Sequence, residues 1–144
     1  MRAASPGSLI LILAAFFVVL PASGQPVTRE DAAAIRAAIS EQLDAFKADD
    51  APRAFALATA DIRAHFGSAD VFMSMVRSSY PVVYRPHGVQ FEAPEVIDGD
   101  VFQPVRMTDA DGRAWIAIYP MQRQPDGSWR INGCQLGRLQ GREI

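Results

Sequence analysis

The chain has 144 residues, 49% hydrophobic and 21% charged, enough apolar content for a packed core and unlike a disordered tract. Its formal charge is −2, and its thirteen arginines and one lysine, Lys47, are scattered, which excludes the basic face that nucleic-acid binding needs. A single cysteine, Cys134, excludes an intramolecular disulfide, so stability must come from packing.

Arg2, with no acid beside it, precedes an unbroken apolar run from Leu9 to Leu20 that Pro21 ends. Ala22-Ser23-Gly24 then places small residues before Gln25. This three-part pattern predicts a signal peptide over 1–24, removed after Gly24, and export to the periplasm or the medium. The run is about a dozen residues against the roughly 20 of a spanning helix, so no stable membrane insertion is expected after cleavage. No cysteine follows it, so no lipid anchor is expected. Residues 25–144 read as a single α+β domain.

Thr28 precedes Glu30 and Asp31 and suits the N-cap of a helix over about 29–48. Ile35, Ile39, Leu43 and Phe46 form one apolar stripe along it. Asp49-Asp50-Ala51-Pro52 interrupts the chain and starts a second helix over about 51–59. Asp61 to Phe66 reads as a further short turn, and Ser68 caps a third helix over about 69–79 with Phe72, Met75 and Val76 in helical spacing. Pro81 and Pro86 end the helical half.

From Val89 the apolar period becomes two. Val89, Phe91 and Ala93 alternate until Pro94, which restricts that strand to an edge or a bulge. Turns are predicted at Asp98-Gly99, Asp109 to Gly112 and Pro125-Asp126-Gly127. Ala114 to Met121 is apolar on both faces and is expected to be central, covered on both sides. On the last strand Trp129 and Ile131 share a face, whereas Cys134 and Leu136 fall on the opposite parity. A bulge at Asn132-Gly133 brings all four together. The expected architecture is N-terminal helices packed on a curved four-stranded antiparallel meander.

Particular stretches resemble a bacterial family catalogued as domain of unknown function 4864. They are Gln42-Leu43-Asp44-Ala45-Phe46 with Asp49-Asp50, Ala54-Phe55-Ala56-Leu57-Ala58, Phe66-Gly67, and Tyr80-Pro81-Val82-Val83-Tyr84-Arg85-Pro86. Trp115, Tyr119, Met121-Gln122 and Asp126 to Cys134 continue the likeness, which spans about residues 30–138. The element order is also similar to the cone-shaped, cystatin-like α+β fold of the nuclear transport factor 2-like superfamily. That resemblance implies a concave sheet closed by helices, whose cavity holds a small ligand, serves as an enzyme site or is simply packed; dimers are common. Fold alone does not choose among these.

Proton-transfer chemistry in such a cavity needs a carboxylate or imidazole in apolar surroundings. Residues 101–107, 114–121 and 129–136 contain no Asp, Glu or His, although a helix-borne acid can also face a cavity. Asp49-Asp50 and Asp70 suit helix caps and first turns better than catalysis. His65 and His87 lack a clustered third ligand, so no metal site is expected, and no motif implies a cofactor. No catalytic residue is assigned. The candidate ligand pocket comprises Tyr80, Tyr84, Arg85, Met75, Trp115 and Tyr119. The tyrosines can equally pack helix three onto the sheet, and Trp115 and Tyr119 can equally be sheet core or dimer surface. The leading expectation is an exported, non-enzymatic module binding a small apolar or amphipathic ligand or a protein partner. The alternatives are a small hydrolase or isomerase and a homodimerising module.

Overall fold

The computed structural model describes residues 27–140; the predicted signal segment lies outside them. Helices come first in the chain and strands second, as the change of period implies. Helix α1 (Arg29–Lys47) starts at Thr28, whose hydroxyl accepts from the Asp31 amide at 3.1 Å. Its stripe of Ile35, Ile39, Leu43 and Phe46 is buried, and Gln42 is buried beside it. Asp50 caps α2 (Ala51–Ala56), Thr59 caps α3 (Ala60–Phe66) and Ser68 caps α4 (Ala69–Ser79).

Two helical boundaries differ from expectation. The second helix stops at Ala56 because Leu57 to Thr59 run beside the sheet. The Ile131 amide donates to Leu57 O and the Thr59 amide donates to Ile131 O, both at 2.9 Å, leaving Thr59 free to start α3. Pro81 does not end the helical half. It opens one more turn, α5 (Pro81–Tyr84), in the first-turn position where a missing amide hydrogen does no harm.

The sheet has six strands in four rows. They are β1 (Gly88–Phe91), β2 (Glu95–Ile97), β3 (Asp100–Thr108), β4 (Ala114–Arg123), β5 (Trp129–Ile131) and β6 (Gln135–Arg138). Strands β1 and β2 both pair with β3, and β5 and β6 both pair with β4, every ladder antiparallel. The four expected strands are therefore four rows, and each outer row is broken in two. Asp98 and Gly99 both take positive φ, 51° and 84°, in the two-residue turn joining β2 to β3.

Register shows why the outer rows break. Phe91 pairs with Val105 and Glu95 with Phe102, so three residues of the first row face two of β3. Ile131 pairs with Met121 and Gln135 with Ile118, so residues 132–134 face two of β4. Each slip is a one-residue bulge, the second at the predicted place. Each lies opposite a proline in the central strand, Pro104 and Pro120. Their carbonyls accept from Glu92 at 3.1 Å and from Asn132 at 2.8 Å, so the amide hydrogen each lacks belongs on the same side. Gln103 closes the first bulge: its buried side-chain amide donates to Glu92 O and Pro104 O, both at 2.8 Å.

Strong local bending at both borders curls the sheet into a half-barrel. Val101, Gln103, Val105 and Met107 of β3 face inward with Trp115, Ala117, Tyr119 and Met121 of β4. They pack on the α1 stripe and on Phe72, Met73, Val76, Val82 and Val83 in one core. The opposite face carries Phe102, Ile116, Ile118 and Pro120, all half-buried within the chain. Both faces of β4 are therefore apolar; the inner one packs in the core and the outer one is half-buried, with Pro104 buried beside Ile118.

Candidate functional site

Where the core stops short of filling the half-barrel, a cavity of about 300 Å³ remains. Gln42 and Phe46 of α1, Ile62, His65 and Phe66 of α3, and Phe72, Met75 and Val76 of α4 form its helical side. Tyr119, Ile131, Gly133 and Cys134 form its sheet side, with Tyr80 and Val83 along the wall. The bulge at 132–134 thus contributes two lining residues directly. The volume lies at the small end of ligand pockets, roughly 300–1,000 Å³.

The polar groups of this lining are few. Gln42 donates its side-chain nitrogen to Ala54 O at 3.1 Å, holding α1 to α2. Tyr80, at the end of α4, donates its hydroxyl to Cys134 O at 3.2 Å and so ties the helical layer to the bulge. Among the described residues no Asp, Glu, Lys or Arg lines the cavity, and His65 is exposed at its α3 side.

Tyr119 is different. It is 1% exposed, and its hydroxyl is the only buried side-chain polar atom without a hydrogen-bond partner among the described residues. Burial pushes its ionisation well above the ordinary phenol range, and the adjacent Cys134 adds to the shift. Cys134 is near enough to interact, yet a neutral thiol is a weak acceptor and the pair does not form a hydrogen bond of normal geometry. Burial likewise pushes the Cys134 thiol up to about 12, with the Tyr119 hydroxyl opposing part of the rise. The thiol is therefore held protonated, the unreactive form of a cysteine.

The six expected pocket residues do not converge on one site. Met75, Tyr80 and Tyr119 line the cavity. Arg85 and Trp115, with the other side of Tyr80, border a separate, more open cleft of about 750 Å³ beside the β3–β4 loop. There Trp115 donates its indole nitrogen to Asp109 at 2.9 Å, a bond that belongs to the loop's own architecture. Tyr84 lines neither space. It lies in a surface cluster in which Asp49 accepts from Tyr84, from Arg77 at 3.1 Å and from Arg85 at 3.2 Å. The Tyr84 hydrogen bond, then that of Arg77, lowers the Asp49 carboxyl below its ordinary range. Arg85 also donates to Phe46 O at 2.7 Å, so the cluster fastens the end of α1 to α4 and α5. Asp49 and Asp50 accordingly act apart, since only Asp50 caps α2. His65 lies at the cavity and His87 in the loop before β1, and no three potential metal ligands converge among the described residues.

Gln42, His65, Phe66, Cys134 and Gly133 were not in the expected pocket. The bulge predicted at Asn132-Gly133 was the available signal for the last two, because an unpaired stretch beside a curled sheet opens space. The others sit on helices whose apolar stripe reads as ordinary core.

Two consequences are measurable. Leaving a buried hydroxyl unsatisfied costs about 1–3 kcal/mol. Tyr119→Phe removes that group and is expected to raise the free energy of urea unfolding by about 1 kcal/mol. The second concerns pH. An unfolded thiol ionises near 8.5, whereas Cys134 in the fold ionises near 12. Between those values the unfolded chain releases its proton first, so stability is intact below about pH 8.5 and falls as pH rises. The slope is at most about 1.4 kcal/mol per pH unit. Cys134→Ala is expected to flatten the part of this decline that begins near pH 8.5, measured by denaturant midpoints from pH 7 to 10.

No curated protein and no solved structure matches the chain. A family model, however, matches residues 28–144, which take in every helix and strand described above, the cavity and both bulges. The chain belongs to the family described as domain of unknown function DUF4864.

Proposed function

We propose that this domain is an exported binding module that holds a small apolar or amphipathic ligand between its helices and its curled sheet. The observation that carries the reading is the cavity of about 300 Å³, lined by aromatic and aliphatic side chains and by few polar groups. Such a space, about ten water molecules in volume, is poorly solvated by its walls and gains from an apolar occupant. Three of the residues expected from sequence, Met75, Tyr80 and Tyr119, line it. Export rests on Arg2, the apolar run to Leu20 and the small residues before Gln25.

Binding is favoured over catalysis by the chemistry of the lining. Acid–base work needs a group of suitable pKa within reach of the reacting atom. Among the described residues the cavity has no carboxylate, its one imidazole, His65, is exposed and not held in apolar surroundings, its thiol is held protonated, and the Tyr80 hydroxyl is committed to Cys134 O. The acids that sequence offered as catalytic alternatives, Asp49, Asp50 and Asp70, serve the surface cluster, the α2 cap and the first turn of α4.

Met75→Trp puts an indole into the α4 side of the cavity. It is expected to weaken binding of the fluorescent probe N-phenyl-1-naphthylamine at least tenfold while leaving the fold intact by circular dichroism. Unchanged probe binding in the variant overturns the cavity as the site.

A second reading, a homodimer through the outer sheet face, is favoured by Phe102, Ile116, Ile118 and Pro120, which lie on adjacent central rows. It is compatible with the first, because the two faces of β4 are separate surfaces. Sedimentation equilibrium is expected to show self-association that Ile116→Glu abolishes; a concentration-independent monomer excludes it.

A further inference from the structure

We infer that the cavity selects uncharged ligands whose polar group is a hydrogen-bond acceptor, read by the Tyr119 hydroxyl. This rests on the binding reading above and assigns the chemical class of its ligand.

The argument begins with a contrast between the two bulges. Gln103 and Tyr119 are direct neighbours across β3 and β4, and each immediately precedes the proline that faces a bulge. At the first bulge Gln103 meets its hydrogen-bonding needs internally, with two carbonyl acceptors at 2.8 Å. At the second, the Cys134 carbonyl is taken by Tyr80, and Tyr119 is left with no partner. The fold thus has an internal solution for this geometry and does not use it on the cavity side. Buried polar atoms are nearly always satisfied, and the exception here belongs to a residue lining the cavity.

The side chain that interacts with the Tyr119 hydroxyl is that of Cys134, which sits within the bulge, outside the paired ladder. A ligand that displaces this side chain meets the phenol of a residue that lines the cavity. A phenol that stays protonated presents a donor, and the matching ligand atom is an acceptor such as a carbonyl, hydroxyl or ether oxygen. A charged head group is disfavoured because, among the described residues, no Asp, Glu, Lys or Arg lines the space to neutralise it and the one titratable ring, His65, is exposed. Of the other polar side chains of the lining, Gln42 and Tyr80 are already engaged with backbone carbonyls, and the His65 imidazole is exposed on the α3 side.

Four probes of one shape test this: benzyl alcohol, toluene, benzoate and benzylammonium, titrated into the purified protein at pH 8 and followed by protein chemical shifts. Benzyl alcohol is expected to bind more tightly than toluene by about fivefold, the worth of one net hydrogen bond. Both ions are expected to bind at least tenfold more weakly than the alcohol. In Tyr119→Phe the preference is expected to vanish, benzyl alcohol and toluene then binding that variant with equal affinity. Benzoate or benzylammonium binding as well as the alcohol overturns the inference, as does an alcohol preference that survives in Tyr119→Phe; in both cases the cavity still binds and the broader reading stands. Failure of all four probes to bind overturns the broader reading and this inference with it.

Discussion

Pro104 and Pro120 stand in the two central strands of the sheet, and neither can donate to the row beside it. A proline in a central strand normally argues against the strand. Here each one instead fixes where an outer row takes an extra residue, because a missing ladder hydrogen bond removes the penalty for slipping register at that point. The two slips lie at opposite borders of the same pair of strands. Together they bend the sheet about the helices and divide each outer row in two, while the unbroken register of β3 on β4 puts Gln103 and Tyr119 side by side on the inner face.

The cavity depends on the second of these slips. Residues 132–134 leave the ladder, Gly133 and Cys134 border the space, and Tyr80 reaches across from α4 to hold the displaced backbone. The aromatic group of Phe46, Phe66 and Phe72 supports the opposite wall, their rings 5.5 to 6.1 Å apart around Phe72. Stability is sacrificed locally, since a filled core and a satisfied Tyr119 would be the more stable arrangement. The void and the orphan hydroxyl occur in one place, and the proposed binding reading rests on that coincidence.

Much of the fold was legible in the chain. Thr28, Asp50 and Ser68 declare their helices because a side-chain oxygen before an alanine-rich or apolar-periodic stretch has a backbone amide to meet. The second bulge was legible because the parity of Trp129 and Ile131 conflicts with that of Cys134 and Leu136. The first was half-legible: Pro94 marked the broken row, but the meaning of Pro104 appears only once register places it opposite. The site was less legible. Whether the stripe carrying Gln42 and Phe46 touches the sheet or stands off from it depends on the curl of the sheet, which no helical periodicity encodes. Tyr84 and Arg85 part company for a related reason. Aromatic and basic residues beside prolines suit a cleft, and Arg85 does border one, while both residues also join the clamp on the end of α1.

The parallel pairing of Leu57 to Thr59 with Ile131 also closes a border. It lies along β5, so that strand does not end the sheet as an open edge. The other border is made of the four-residue β1 and the three-residue β2, interrupted around Pro94 and flanked by Glu92 and Glu95. Short, interrupted and charged edges resist the addition of a strand from another molecule. Among the described residues, the four of β6 form the one further run beside β4. Such borders leave little continuous edge among the described residues for a strand of another molecule to join, even though β1 and β2 expose Val89, Val96 and Ile97.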